Sequence, residues 1–229
     1  MGFRSVLAVQ LSLISACALS ADREVESLLS KMRDAYRTAK TAHVVVKTTA
    51  RRFGGQAVTT DMTFKRDLKI AAKVYNLPSF KGKVWNYICD GKEVSLDDLG
   101  GNVQRTKFDP DFIPMPINLE AMSFWDWKRQ LSTGKGTNME FSTFKLFPDV
   151  SWNNKKWTML EETANGQKVF ARYYIDRKTS LIYRVQVFDI EGREQRLETI
   201  VTKLEINVPV SDKVFKLREP TKAKPRRIE

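Results

Sequence analysis

Residues 172–185 read RYYIDRKTSLIYRV. Two runs rich in aromatic and β-branched residues flank a short polar knot. Such a segment suits two structures: a basic–aromatic patch that reads nucleic acid, or one hairpin of a larger sheet. Strand periodicity separates them, because successive side chains of a strand point to opposite faces. Val169, Ala171, Tyr173 and Ile175 then share one face of their strand. Leu181, Tyr183, Val185 and Val187 share one face of the next. Arg172 and Arg184 fall on the other side, so alternation alone places aromatic beside basic residues. Asp176 to Ser180 supplies the turn. No RNP-like, zinc-finger or helix-turn-helix pattern accompanies it, and no nucleic-acid partner is expected.

The same hairpin grammar runs through the chain. Segments 43–50, 57–66, 68–75 and 83–89 are strand-like, as are 156–162, 169–176, 181–189 and 195–208. Gly54-Gly55, Asp90-Gly91, Asn165-Gly166 and Glu191-Gly192 mark connecting turns, and Asp67 marks another. A short further segment covers 214–217. Two stretches switch to helical spacing. In 22–41, Val25, Leu28, Leu29, Met32, Tyr36 and Ala39 fall on one face, with Asp22 as N-cap. Residues 117–131, INLEAMSFWDWKRQL, follow a loop with three prolines and precede a Gly-rich turn. The expected class is α+β: a strongly curved antiparallel sheet with helices covering its concave face. A sheet of eight or more strands tends to curl.

At 229 residues the chain suits one domain with appendages. Its 42% hydrophobic content is enough for a core, which argues against disorder as the default. The net charge of +12 fits an anionic partner: nucleic acid, an acidic protein or membrane headgroups. A solvated basic surface is the simpler explanation, since the charge is spread along the chain apart from KAKPRR at 222–227. The basic tail 218–229 is expected to be disordered.

The first residues, MGFRSVLAVQLSLISACALSADRE, pair Arg4 with an apolar run over 6–16. A membrane-spanning helix needs about 20 apolar residues, so the run reads as a signal peptide, 1–21, and the protein as exported. Ala18-Leu19-Ser20 is a small-x-small cleavage site. Ile14-Ser15-Ala16-Cys17 resembles the bacterial lipobox, in which Cys17 is lipidated and anchors the domain to a membrane. Both readings stay open. The remaining cysteine, Cys89, is expected to be a buried small hydrophobe.

Enzyme signatures are sparse. The one histidine, His43, is too few for a His-based metal site, and no G-x-S-x-G surrounds a serine. Gly134 to Gly136 lacks phosphate-loop spacing. Asp97-Asp98 and Asp109-Pro110-Asp111 read as solvated turn carboxylates. No catalytic residue, metal or cofactor is expected, and the chain does not read as an enzyme. Its aromatic residues are more informative. Met122, Phe124, Trp125 and Trp127 crowd the second helix, and Trp85 and Tyr87 share a strand face. Ordinary core packing explains them; so does a lid over an apolar cavity. With Tyr173 and Tyr183 on the sheet's apolar side, these eight residues are the candidate lining.

Four segments, in order, resemble the LolA/LolB-like family of envelope lipoprotein carriers. Phe64-Lys65-Arg66-Asp67-Leu68 looks like the family's strand–turn–strand. Cys89-Asp90-Gly91-Lys92 is similar to its Ser-Asp-Gly-Lys hairpin turn. YYIDRKTSLIYR and EINVPVSDKVFKL look like its late hairpin and its closing N-x-P-[IV]-x-D-x-x-F segment. The resemblance covers about residues 22–217. It implies an incomplete β-barrel whose interior accepts acyl chains of lipids or lipoproteins, acting as a monomer in the periplasm or cell envelope. A membrane-anchored interaction or sensing protein, like LolB or the RseB sensor, is the alternative on the same fold. By position, the family's gating arginine corresponds to Arg66, although Asp67 stands where the family has proline.

Overall fold

The hairpin at 172–185 is present, embedded in a much larger sheet. A computed structural model describes residues 23–80, 82–98, 101–109, 142–164, 168–189, 191 and 194–221. One helix, α1, spans 23–38. Eleven strands follow: β1 (Thr41–Ala50), β2 (Ala57–Lys65), β3 (Lys69–Tyr75), β4 (Trp85–Cys89), β5 (Glu93–Asp97), β6 (Val103–Lys107), β7 (Ser142–Trp152), β8 (Lys155–Ala164), β9 (Val169–Ile175), β10 (Ile182–Asp189) and β11 (Gln195–Ile206). They form one antiparallel sheet in the order β6-β5-β4-β3-β2-β1-β11-β10-β9-β8-β7. Two meanders thus meet along β1 and β11, and the sheet is not closed.

Several expectations change. α1 is the one α-helix among the described residues; the second helix read at 117–131 falls outside them. Strands β5, β6 and β7 are additional to those read from the sequence. Residues 214–217 do not form a strand; a 3₁₀ turn covers Asp212–Phe215 and buries Phe215.

One face of the sheet carries the main core. In β1, Ala42, Val44, Val46, Thr48 and Ala50 are buried in strict alternation, and β2 buries Val58, Thr60, Met62 and Phe64. This period of two follows from the pleat. α1 lays Met32 and Tyr36 on this inner face, where they join one cluster with Phe64, Tyr87 and Leu160. The Tyr36 hydroxyl accepts a 3.0 Å hydrogen bond from the Ile182 N–H. It thereby satisfies a backbone donor at a break in the β9–β10 ladder. There Ile182 pairs with Ile175 and Arg184 with Tyr174, leaving Tyr183 as the extra residue of a bulge.

The closing segment has a physical reason for its residues. Asn207, at φ 59°, accepts the Lys40 N–H on its side chain at 2.8 Å and donates its own N–H to the Thr41 carbonyl at 2.9 Å. Asp212 receives Lys65 and Lys69, each at 3.0 Å. Gly91 is equally constrained: a Cβ there would lie 2.6 Å from the Asp67 carbonyl oxygen, and its φ is +98°. The β4–β5 turn therefore packs directly on the β2–β3 turn.

Contacts with the sheet continue past residue 217, the boundary read from the sequence. The Arg218 N–H donates to Ser95 Oγ at 3.1 Å, and its guanidinium pairs with Asp97. Thr221 exchanges two hydrogen bonds with Val103 on edge strand β6. Asp97 is 5% exposed, so it is a buried, paired carboxylate and not a solvated one.

Candidate functional site on the inner face of the sheet

The inner face unites three of the eight lining candidates. Trp85, Tyr87 and Cys89 share one face of β4, and all three are buried. The two rings stack with centroids 6.2 Å apart. Tyr173 packs on the same cluster from β9 and donates its hydroxyl to Glu162 at 2.7 Å. Tyr183 behaves differently from its expected phase. The bulge swings its ring to within 5.4 Å of Trp157, in a second cluster with Met159 and Tyr174, while it still touches the main core. Met122, Phe124, Trp125 and Trp127 lie outside the described residues, as does Cys17.

The surroundings of these groups are strongly apolar. Burial pushes the Tyr87 hydroxyl well above the ordinary tyrosine range. Burial likewise raises the Cys89 thiol to about 11, against a 3.3 Å hydrogen bond from the Gly91 N–H. Cys89 is thus a packed side chain and not a nucleophile at neutral pH. Two buried hydroxyls, Thr60 Oγ1 and Tyr87 OH, have no hydrogen-bond partner among the described residues. Tyr87→Phe is therefore expected to leave stability unchanged or raise it, since no hydrogen bond among the described residues is lost. Urea denaturation checks this: a loss above about 1 kcal/mol would mean that the hydroxyl is bonded.

Beside the core, a groove of about 330 Å³ lies between the first turns of α1 and the β7–β8 hairpin. Leu28, Leu146 and Thr158 give it an apolar wall; Arg23, Glu24 and Lys31 rim it. Sequence reasoning passed over Leu146 and its inner-face partner Leu160. The signal was present in β7, where Phe144 and Leu146 alternate with Lys145.

The outer face explains the basic–aromatic pattern. Arg172 donates to Glu161 at 2.8 Å and lies 5.2 Å from the Phe170 ring and 5.0 Å from Phe188. Arg184 donates to Glu198 at 2.7 Å and covers Trp152 and Tyr174. These cations are neutralised by carboxylates and stacked on rings within the sheet. His43 is also on this side, between Asp61 at 2.9 Å and Glu205 at 3.3 Å. No cluster of three or more metal-ligating side chains occurs among the described residues.

Arg66 sits exposed on the β2–β3 turn, where Asp67 and Leu68 both have positive φ. Its N–H donates to the Lys40 carbonyl at 2.8 Å. Its side chain lines a second groove, of about 480 Å³, with Lys40, Thr41, Lys65 and the segment from Asn207 to Val210.

No protein-family model matches this chain, and no curated protein matches it. Solved structures do. MucB superposes over 86% of this chain and 64% of its own length, with a TM-score of 0.56 at 11% identity. An uncharacterized conserved protein from Thermus thermophilus covers 86% of this chain and 95% of its own, with a TM-score of 0.56 at 10% identity. This chain has the LolA/LolB-like fold. The complex of Pseudomonas aeruginosa MucA and MucB matches over 83% of the chain and 60% of the other, with a TM-score of 0.50 at 12% identity. The chain thus spans less than two thirds of the MucB length. At these identities the LolA/LolB-like fold is what is shared.

Proposed function

We propose that this chain is an exported, non-enzymatic carrier or binder of lipid or lipoprotein acyl chains in the bacterial cell envelope. The inner face carries this reading. It is an unclosed 11-stranded sheet whose apolar residues, from β4 to β8, form one cluster beside an apolar-walled groove. Burial of each CH₂ of a bound chain contributes about 0.8 kcal/mol, enough to drive uptake without a catalytic group. In this reading the sheet curls into a half-barrel that works as a monomer. Met122, Phe124, Trp125 and Trp127 form its lid, and Arg66 sits at its rim. The leader delivers it to the periplasm, where Cys17, if lipidated, anchors it.

A second reading is an envelope interaction or sensing protein on the same fold. MucB, seen in complex with MucA, favours it. The two separate experimentally. Native mass spectrometry of the exported protein, with lipid extraction and fluorescent fatty-acid titration, is expected to show a co-purified lipid and saturable binding. Absence of both would overturn the carrier reading.

A further inference from the structure

We propose that the groove at the β11–β1–β2 end of the sheet binds the phosphate headgroup of an anionic membrane lipid. Its frame is stitched together by four hydrogen bonds: Lys40 N–H to Asn207 Oδ1, Arg66 N–H to the Lys40 carbonyl, Asn207 N–H to the Thr41 carbonyl, and Thr41 Oγ1 to the Val208 carbonyl, all between 2.6 and 2.9 Å. Three chain segments that meet there are thus held in place before any ligand arrives.

The lining sets Lys40, Lys65 and Arg66 against one carboxylate, Asp67. Asp212 does not neutralise the excess, because it is shared between Lys65 and Lys69. The side chains of Lys40 and Arg66 are exposed and have no ion-pair partner among the described residues. A cleft lined by exposed lysine and arginine residues suits a phosphate oxyanion. Val208, Pro209 and Val210 supply an apolar wall. A free inorganic anion would leave that wall unused, whereas the glycerol and first methylenes of a phospholipid would cover it. A volume of about 480 Å³ is in the range of small-molecule sites. This groove shares no lining residue with the groove beside α1, and the phosphate site stands without the acyl-chain reading.

The test is co-sedimentation of the full exported protein with phosphatidylcholine vesicles, with and without phosphatidylglycerol. The readout is the difference between the two, which cancels any contribution from an N-terminal lipid. Lys40→Ala/Arg66→Ala is expected to reduce the phosphatidylglycerol-dependent binding by roughly 10- to 30-fold. Lys40→Arg/Arg66→Lys is expected to retain it, as is a variant ending at Thr221. Unchanged vesicle binding in the alanine variant overturns the proposal. So does loss that follows the 222–229 truncation instead, or binding of glycerol phosphate in solution without any preference for anionic vesicles.

Discussion

Replacing Trp85 by alanine is expected to lower the free energy of unfolding by about 3–5 kcal/mol. The ring is 1% exposed and stacks on Tyr87. Its indole N–H donates to the Asp97 carbonyl, which ties β4 to the end of β5. Alanine removes the packing, opens a cavity between buried side chains and leaves a buried carbonyl without its donor. The same carbonyl belongs to the residue whose carboxylate receives Arg218 and the Asn86 N–H, so the damage reaches the C-terminal segment as well. Trp85→Phe should recover part of the loss, keeping the ring contact without the N–H. Urea denaturation of the three proteins measures this. A Trp85→Ala cost below about 1 kcal/mol would show that this ring does not close the β4–β5 half of the core.

Most strands were legible because one buried face enforces a period of two. β1, β2 and β8 to β11 were read to within a few residues of their observed ends. β5 and β6 were not, because EVSLD and VQRTK are five residues each and β6 is almost wholly exposed. β7 was hidden by Pro148, which the ladder tolerates at an edge strand where the register slips between Phe147 and Val150. Tyr183 departs from simple alternation for a related reason: the bulge leaves it as the extra residue, and its ring reaches a second cluster as well as the main core. The candidate site was half legible. Trp85, Tyr87 and Tyr173 follow from alternation within a strand. Leu28 beside Thr158 depends on where α1 lands on the sheet, and helix docking leaves no local pattern in a sequence. The pairing of Arg218 with Asp97, 121 positions apart in the chain, is beyond any such pattern.

Asp176→Asn is expected to cost at most about 2 kcal/mol at neutral pH, and the cost should fade in acid. Asp176 opens the turn of RYYIDRKTSLIYRV. One carboxylate oxygen accepts the N–H groups of Lys178 and Thr179, both at 2.9 Å, and the other meets the Lys155 ammonium. Burial pushes the carboxyl pKa up, but Lys155 and the two backbone donors outweigh it and hold it at about 2. A carboxyl whose folded pKa is depressed contributes stability above its unfolded value, near 4, and loses it as pH falls through the folded value. Asparagine keeps the acceptor for the two N–H groups and loses the charge facing Lys155. The gap between parent and variant in urea denaturation should therefore be constant above about pH 5 and close between about pH 4 and 2. Lys155 also lies 4.4 Å from the Trp157 ring, so releasing it loosens the outer cluster that holds Tyr183. A gap that stays constant down to pH 2 would mean that Asp176 acts through turn geometry alone. A gap that closes makes its charge the link between the hairpin's turn and the β7–β8 hairpin beside the groove.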